Sequence, residues 1–387
     1  RERSEHGANA PDGPWPWGWG PTALMHGMTP PFRAEHIGSL VRPQELRAAR
    51  QSSLSDEALR ELEDRLIDEA ILGQERVGLE SITDGEFRRS IYFGHFARAV
   101  DGFTEMEATS VFKDAEGREL RYLTPVVTGR LERKRGIATE ELAYVRKRTT
   151  RTPKVTLPSP ESQHFFRFRE GVSDSVYPDL DEFFEDVARV YRQELCALAE
   201  RGATYIQLDC VSIPLLCDPK HREAFRARGC DPDAFVSRYV DLFNEAVREK
   251  PPGLTLGVHC CRGNNQGKWL GEGGYEAVAD EVFARLDADA LFLEYDSARA
   301  GGFSPLRHVS KDKHVVLGLV STKTPVLESE DELIRRVEDA SRFVPLERLA
   351  LSPQCGFAST EAGNPLTPDD QWRKLELVVQ TAARIWD

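Results

Sequence analysis

No apolar run in this chain of 387 residues approaches the ~20 needed to cross a bilayer. The N-terminus lacks the apolar core of a secretory signal, so the cytoplasm is the expected compartment. Positive charge is in deficit. There are 51 Lys and Arg against 64 Asp and Glu, a net charge of −13, which disfavours nucleic acid and anionic membranes as partners. Cysteine is too sparse for a disulfide scaffold. Its seven copies, an odd number without framework spacing, read as core thiols and metal ligands in a reducing compartment. No GxGxxG follows the first expected strand, which counts against a dinucleotide-binding sheet.

What is present is a hydrophobic fraction of 40%, enough for a sizeable core. Residues 1–31 read as an N-terminal extension. The stretch from Pro11 to Pro21, rich in Pro, Gly and Trp, suits neither a regular helix nor a central strand. Met25 and Met28 are both open as native starts. From residue 32 to 387 short β-rich runs alternate with amphipathic helices. Eight strands are expected: Phe32–Ser39, Leu79–Asp84, Lys154–Pro158, Thr204–Asp209, Leu254–Cys261, Ala290–Tyr295, His314–Val320 and Leu349–Gln354. Ser55, Asp181, Asp231 and Thr367 read as helix starts, the last followed by Pro at the first helical position. Eight strands with helical crossovers imply an α/β fold with a parallel sheet, most economically a single (β/α)8 TIM barrel. An open doubly wound sheet is the alternative. Segment 101–153 interrupts the rhythm and reads as an insertion after the second strand, a β-hairpin arm. The basic stretch Arg130 to Arg151 reads as its solvated surface.

Barrel chemistry sits at the C-terminal ends of the strands. The expected strands end in His36-Ile37-Gly38-Ser39, Asp84-Gly85-Glu86, Gln207-Leu208-Asp209, His259-Cys260-Cys261, Glu294-Tyr295-Asp296, Ser321-Thr322-Lys323 and Gln354-Cys355-Gly356. His259 and Cys261 share one strand face, while Cys260 points to the helix layer. HxC alone is a weak signal. With Glu294 and Cys355 ending later strands it becomes a mixed nitrogen, sulfur and oxygen set suited to Zn²⁺. The plainer alternative is a group of unrelated buried polar residues.

The runs His259-Cys260-Cys261-Arg262-Gly263-Asn264, Leu293-Glu294-Tyr295-Asp296 and Ser352-Pro353-Gln354-Cys355-Gly356-Phe357 resemble the C-terminal catalytic domain of cobalamin-independent methionine synthase, and more closely its short stand-alone relatives. Glu35-His36-Ile37-Gly38-Ser39-Leu40, Asp84-Gly85-Glu86-Phe87-Arg88-Arg89 and Gln207-Leu208-Asp209 fit the same relatives, so the resemblance spans roughly residues 32–387. It implies zinc on His259, Cys261, Glu294 and Cys355, with Glu294 as the labile ligand. It implies that Ile37, Gly38 and Ser39 hold the carboxylate of an amino-acid thiol such as homocysteine, and that Glu86 and Asp209 hold its ammonium. Backbone amides and a hydroxyl do suit an anion, and two carboxylates a cation. A salt bridge to Arg88 or Arg89 is the plainer role for Glu86.

The implied reaction is alkyl transfer, methyl above all, to the zinc-activated thiol, as in methionine biosynthesis. The chain departs from the synthase where the alkyl donor would bind. The His that protonates the folate nitrogen is missing from the loop after the seventh strand, which carries Lys323 instead. The pterin-stacking Trp has no counterpart in Leu157-Pro158-Ser159-Pro160-Glu161. Methyltetrahydrofolate is therefore expected to be a poor donor, and a corrinoid protein or a small methylated compound stays open. His36, Asp209 and Lys323 are the expected catalytic residues. Two further readings stand: a zinc–thiol enzyme that opens epoxides, like the epoxyalkane–coenzyme M transferases, which share His36, Gly38, Ser39 and the zinc set; and a non-catalytic zinc-binding relative. Assembly into a homo-oligomer is left open.

Overall fold

The computed structural model describes residues 29–107, 111–113, 119–120 and 123–386. The expected extension 1–31 lies outside the described residues but for its last three. Among the described residues eleven strands run in chain order: β1 Ser81–Ile82, β2 Val100–Glu107, β3 Phe112–Lys113, β4 Glu119–Leu120, β5 Leu123–Arg133, β6 Thr152–Pro158, β7 Tyr205–Cys210, β8 Thr255–Cys260, β9 Ala290–Glu294, β10 His314–Val320 and β11 Leu349–Pro353. One parallel sheet takes the order β1-β6-β7-β8-β9-β10-β11. With helices on its outer face it curls into the TIM-barrel-like fold expected from the alternation of strands and helices.

The first stave of the barrel differs from the sequence expectation. Phe32–Ser39 is not a full strand. It forms one parallel bridge, Ala34 to Leu351, with Glu35 N–H donating to Leu351 O at 2.9 Å. Side chains then take the backbone acceptors that a ladder would use. Gln207 Nε2 donates to Ile37 O at 2.7 Å, Thr83 Oγ1 to Gly38 O at 2.8 Å, and Lys154 Nζ to His36 O. The segment is thus tied into the barrel without repeating strand geometry. On its other side Leu40 N–H donates to Gly85 O at 3.0 Å, which links it to the loop after β1.

The helix signals hold to within two residues. Ser55 Oγ caps helix Asp56–Val77 by accepting from Ala58 N, and Gly78 ends it with φ 97°. Helix Leu180–Glu200 is capped by Asp179 rather than Asp181, whose N–H it accepts. Asp231 caps helix Pro232–Val247 with Pro at its start. Thr367 and Asp370 form a reciprocal cap on helix Pro368–Trp386. Helix Leu180–Glu200 buries Phe183, Val187, Val190, Tyr191, Leu195 and Leu198, each adding roughly 1.5–3 kcal/mol over exposure.

The insertion is an antiparallel hairpin, β2 with β5, capped by the small β3–β4 pair. It docks on the barrel through Tyr177, whose hydroxyl accepts from Leu131 N at 2.7 Å, and through the fully buried Glu194. That carboxylate accepts from Arg133 Nε at 2.7 Å and from Ile137 N and Ala138 N at 3.0 and 2.8 Å. Part of the basic stretch is spent on further ion pairs: Arg130 with Glu182, Lys134 with Asp101, Arg148 with Asp68. Among the described residues no helix is long and apolar enough to cross a membrane.

Candidate functional site

The C-terminal ends of the strands form the floor of a cavity. β8 ends in His259 and Cys260, with Cys261 the next residue, and Cys355 follows β11 by two. Strand alternation places His259 and Cys261 on the inner face, as expected. Cys355 meets them across the barrel. The two sulfurs are 3.4 Å apart, and the ligand atoms of His259, Cys261 and Cys355 all lie within 4.8 Å of one another. All three side chains are buried. Neither ring nitrogen of His259 has a hydrogen-bond partner. A buried imidazole without partners beside two thiols is costly unless something binds them together. The Cys261 thiol beside it holds the Cys355 thiol well below the ordinary range, against the effect of burial, and His259 adds to this. Burial lowers His259, but its neighbour Cys355 outweighs that and raises it. The triad therefore favours thiolate at Cys355 and a proton, or a cation in its place, between the groups.

Glu294 stands apart from these three. It ends β9 and is completely buried, but it is clasped by cations. Oε2 accepts from Arg262 N at 2.8 Å, Oε1 accepts from Arg299 Nη2, and Lys323 Nζ lies 3.6 Å from Oε1. Burial alone would raise its pKa; Lys323, Arg299 and Arg262 overcome this and hold it far below the carboxylate range. Lys323 Nζ is itself buried without a hydrogen-bond partner. Of the four expected ligands, the structure gathers three at the cavity floor and leaves the fourth outside that group. Arg299 carries no signal in the sequence. It sits on a short turn after β9, and nothing local marks it as the partner of Glu294.

The rest of the floor is acidic. Asp209, near the end of β7, pairs in register with His259 on β8. Its Oδ1 accepts from Gln207 Nε2 at 2.7 Å. Burial, opposed by His259 and assisted by Glu86, pushes its pKa up to about 7. Glu86 is aimed inward by a left-handed backbone, φ 59°, that a glutamate rarely adopts. Its Oε1 accepts from Thr156 Oγ1 at 2.7 Å and lies 3.4 Å from Arg89 Nη1. Its Oε2 has no partner. The anticipated salt bridge to Arg89 is therefore present, and still leaves one oxygen for a ligand. Burial raises the Glu86 pKa against the pull of Arg89 and Arg42.

Ile37 and Ser39 line the same cavity. Gly38 between them has φ 139°, and a Cβ there would lie 2.7 Å from Thr156 Cγ2, so only glycine fits. Gly356 lies against Ser39, where a Cβ would come within 2.0 Å of Ser39 Oγ and displace that hydroxyl. His36 is placed elsewhere. It is buried below the floor with Nε2 3.0 Å from Ser81 O, beside the Glu35–Lys154 ion pair, and does not line the cavity. Lys323 also lies outside the lining and reaches the site through Glu294.

The cavity opens to solvent, and about 610 Å³ of atom-free space lies in it and its mouth together, open solvent included. Its upper wall is apolar: Ile91, Tyr92 and Phe93 from the loop after β1, Phe112 from the hairpin arm, Phe166 after β6, Val211 and Leu270. Phe112 and Phe166 carry no signal in the sequence, because their distance from the strand ends along the chain hides their place above them.

Residues 32–369 match the model of the cobalamin-independent synthase catalytic domain. The YxjH protein of Bacillus subtilis (strain 168), itself uncharacterised, is 39% identical over 367 residues, covering 92% of this chain and 95% of that one. A methionine synthase of Pyrococcus abyssi is 29% identical, covering 73% of this chain and 72% of the relative. Among solved structures, a Listeria monocytogenes protein assigned as a vitamin-B12-independent methionine synthase superposes with a TM-score of 0.73 at 31% identity, covering 92% of this chain and 98% of that one.

Proposed function

The chain belongs to the cobalamin-independent synthase family, and from that membership we propose that it is a zinc-dependent S-methyltransferase acting on a small amino-acid thiol of the homocysteine type. The observation that carries this reading is the meeting of His259, Cys261 and Cys355 on the floor of the cavity that Ser39, Glu86 and Asp209 also line. The donor set of one imidazole and two thiols, with the unpartnered His259 nitrogens, fits Zn²⁺. Zinc held by His259, Cys261 and Cys355 would supply a thiol-binding Lewis acid that keeps the substrate sulfur deprotonated and nucleophilic. Glu294, the fourth member of the expected set, is held in reserve by Arg262, Arg299 and Lys323.

The chain's own groups orient the rest of the thiol. The free Glu86 oxygen and the Asp209 carboxylate suit its ammonium. Ser39 and the adjoining Ile37–Gly38 backbone suit its carboxylate. Fixing both ends leaves the sulfur directed at the floor, so that a methyl group delivered from above meets it in line. The apolar upper wall excludes water from the nucleophile.

The test is calorimetric binding of homocysteine to zinc-loaded protein and to Glu86→Gln. A charge-assisted hydrogen bond of about 1.5–3 kcal/mol makes the expected loss of affinity roughly tenfold or more. Equal affinity for the two proteins, or for a thiol lacking the amino group, would remove Glu86 from the site and with it this assignment of the substrate.

A further inference from the structure

The upper wall of the cavity has no task in holding the thiol, yet it is built with care. Four aromatic rings come to it from three separate segments: Tyr92 and Phe93, Phe112 from the hairpin arm, and Phe166. Tyr92 and Phe93 stand edge to face with centroids 5.1 Å apart. Phe112 is buried although it sits on an inserted arm, and it closes over Gly263, where a Cβ would lie 3.0 Å from its ring. Beneath these rings Glu86 and Asp209 are taken up by the ammonium of the thiol, which leaves the rings themselves to face the second substrate. Among the described residues that line the cavity there is no Lys or Arg. No cation of that described lining therefore opposes a positively charged donor. A group of aromatic rings is the kind of surrounding that favours an alkylated cation.

We propose that the methyl donor is a small methyl-onium compound, a sulfonium or a quaternary ammonium, seated under Tyr92, Phe93, Phe112 and Phe166. The inference rests on the thiol methyltransferase reading and names its second substrate. The chemistry balances without an added acid. The thiolate lone pair forms a new S–CH₃ bond, the CH₃–S⁺ or CH₃–N⁺ bond breaks, and its electron pair stays on the departing atom. The leaving group is a neutral thioether or tertiary amine. The thiol proton goes to solvent when the thiolate forms. A folate donor would need a proton on its leaving nitrogen, and the one cationic side chain expected to give it, Lys323, does not line the cavity.

Binding and transfer test this separately. The first measurement compares choline with its neutral isostere 3,3-dimethylbutan-1-ol, each titrated into zinc-loaded protein. Choline should bind at least about fivefold tighter, and the preference should shrink in Phe112→Leu and Phe166→Leu, which keep apolar bulk. The second supplies deuteromethyl-labelled trimethylsulfonium or tetramethylammonium with homocysteine and follows labelled methionine by mass spectrometry. Label from the first only identifies a sulfonium donor; label from either identifies the broader class. Equal binding of the isosteres, together with no labelled product from either salt, would overturn the onium proposal while homocysteine binding still upheld the methyltransferase reading. Failure of homocysteine to bind would strike that reading instead, whatever the isosteres do.

Discussion

Two clusters of buried polar groups lie within one barrel, and they are built in opposite ways. Below the floor, the Glu35 carboxylate accepts from Phe32 N, Ser81 Oγ, Lys154 Nζ and Tyr205 Oη at 2.8–3.0 Å. Lys154 and Glu35 are both completely buried and each is satisfied. Above it, both nitrogens of His259, one oxygen of Glu86, Oε1 of Gln207 and the Lys323 ammonium have no hydrogen-bond partner. A satisfied network holds a fold together. Unsatisfied groups at the same depth cost stability, and a fold tolerates them where a ligand completes them. The difference separates residues that keep the barrel closed, Glu35 and Lys154, from those proposed to bind a ligand.

The sharpest break of this contrast is at the triad. His259→Ala should lose its zinc, from about one per chain to almost none, with turnover falling below detection while the fold persists. Elemental analysis and circular dichroism of one preparation read both. Next comes the lower cluster. Lys154→Met leaves Glu35 buried and without its cation, and should cost about 3–5 kcal/mol in denaturant unfolding, with zinc content unchanged in the protein that remains folded. A smaller effect with the opposite sign is expected at Asp209. Its folded pKa of about 7 lies above the ordinary value of 3.8. Between those values the native state holds more protons than the unfolded one, so this group's ionisation erodes stability as pH rises through that window. Without metal or thiol, Asp209→Asn should therefore lose less stability than the parent between pH 4 and 7, by up to about 1.4 kcal/mol per pH unit. Parallel stability curves would mean that Asp209 is not strained by its site. The smallest effect is expected at Cys260→Ser. This side chain is buried on the far face of β8, so zinc should stay bound with stability changed by only about 1 kcal/mol.

Much of the architecture is legible in the sequence, because alternation, caps and strand-end polarity are local. His259 and Cys261 share a face through a period of two, and Thr367-Pro368 marks a helix start wherever it stands. Two kinds of feature are not local. Phe32–Ser39 has strand-like composition, but Gln207, Thr83 and Lys154 take its carbonyls from distant parts of the chain. Glu294 has the look of a ligand beside His259 and Cys261, and only the folded chain reveals that Arg299 and Lys323 also claim it. The crossover after β9 shows the same limit. It contains only short 3₁₀ turns, Ala298–Ala300 and Ser304–His308, in a run broken by Gly301, Gly302 and Pro305.

The most direct test of the central claim is X-ray absorption at the zinc edge, with and without saturating homocysteine. The expected result is one additional sulfur neighbour, beyond those of Cys261 and Cys355, when the thiol is present. A sulfur count that stays the same at saturating homocysteine would contradict activation of the thiol at this site.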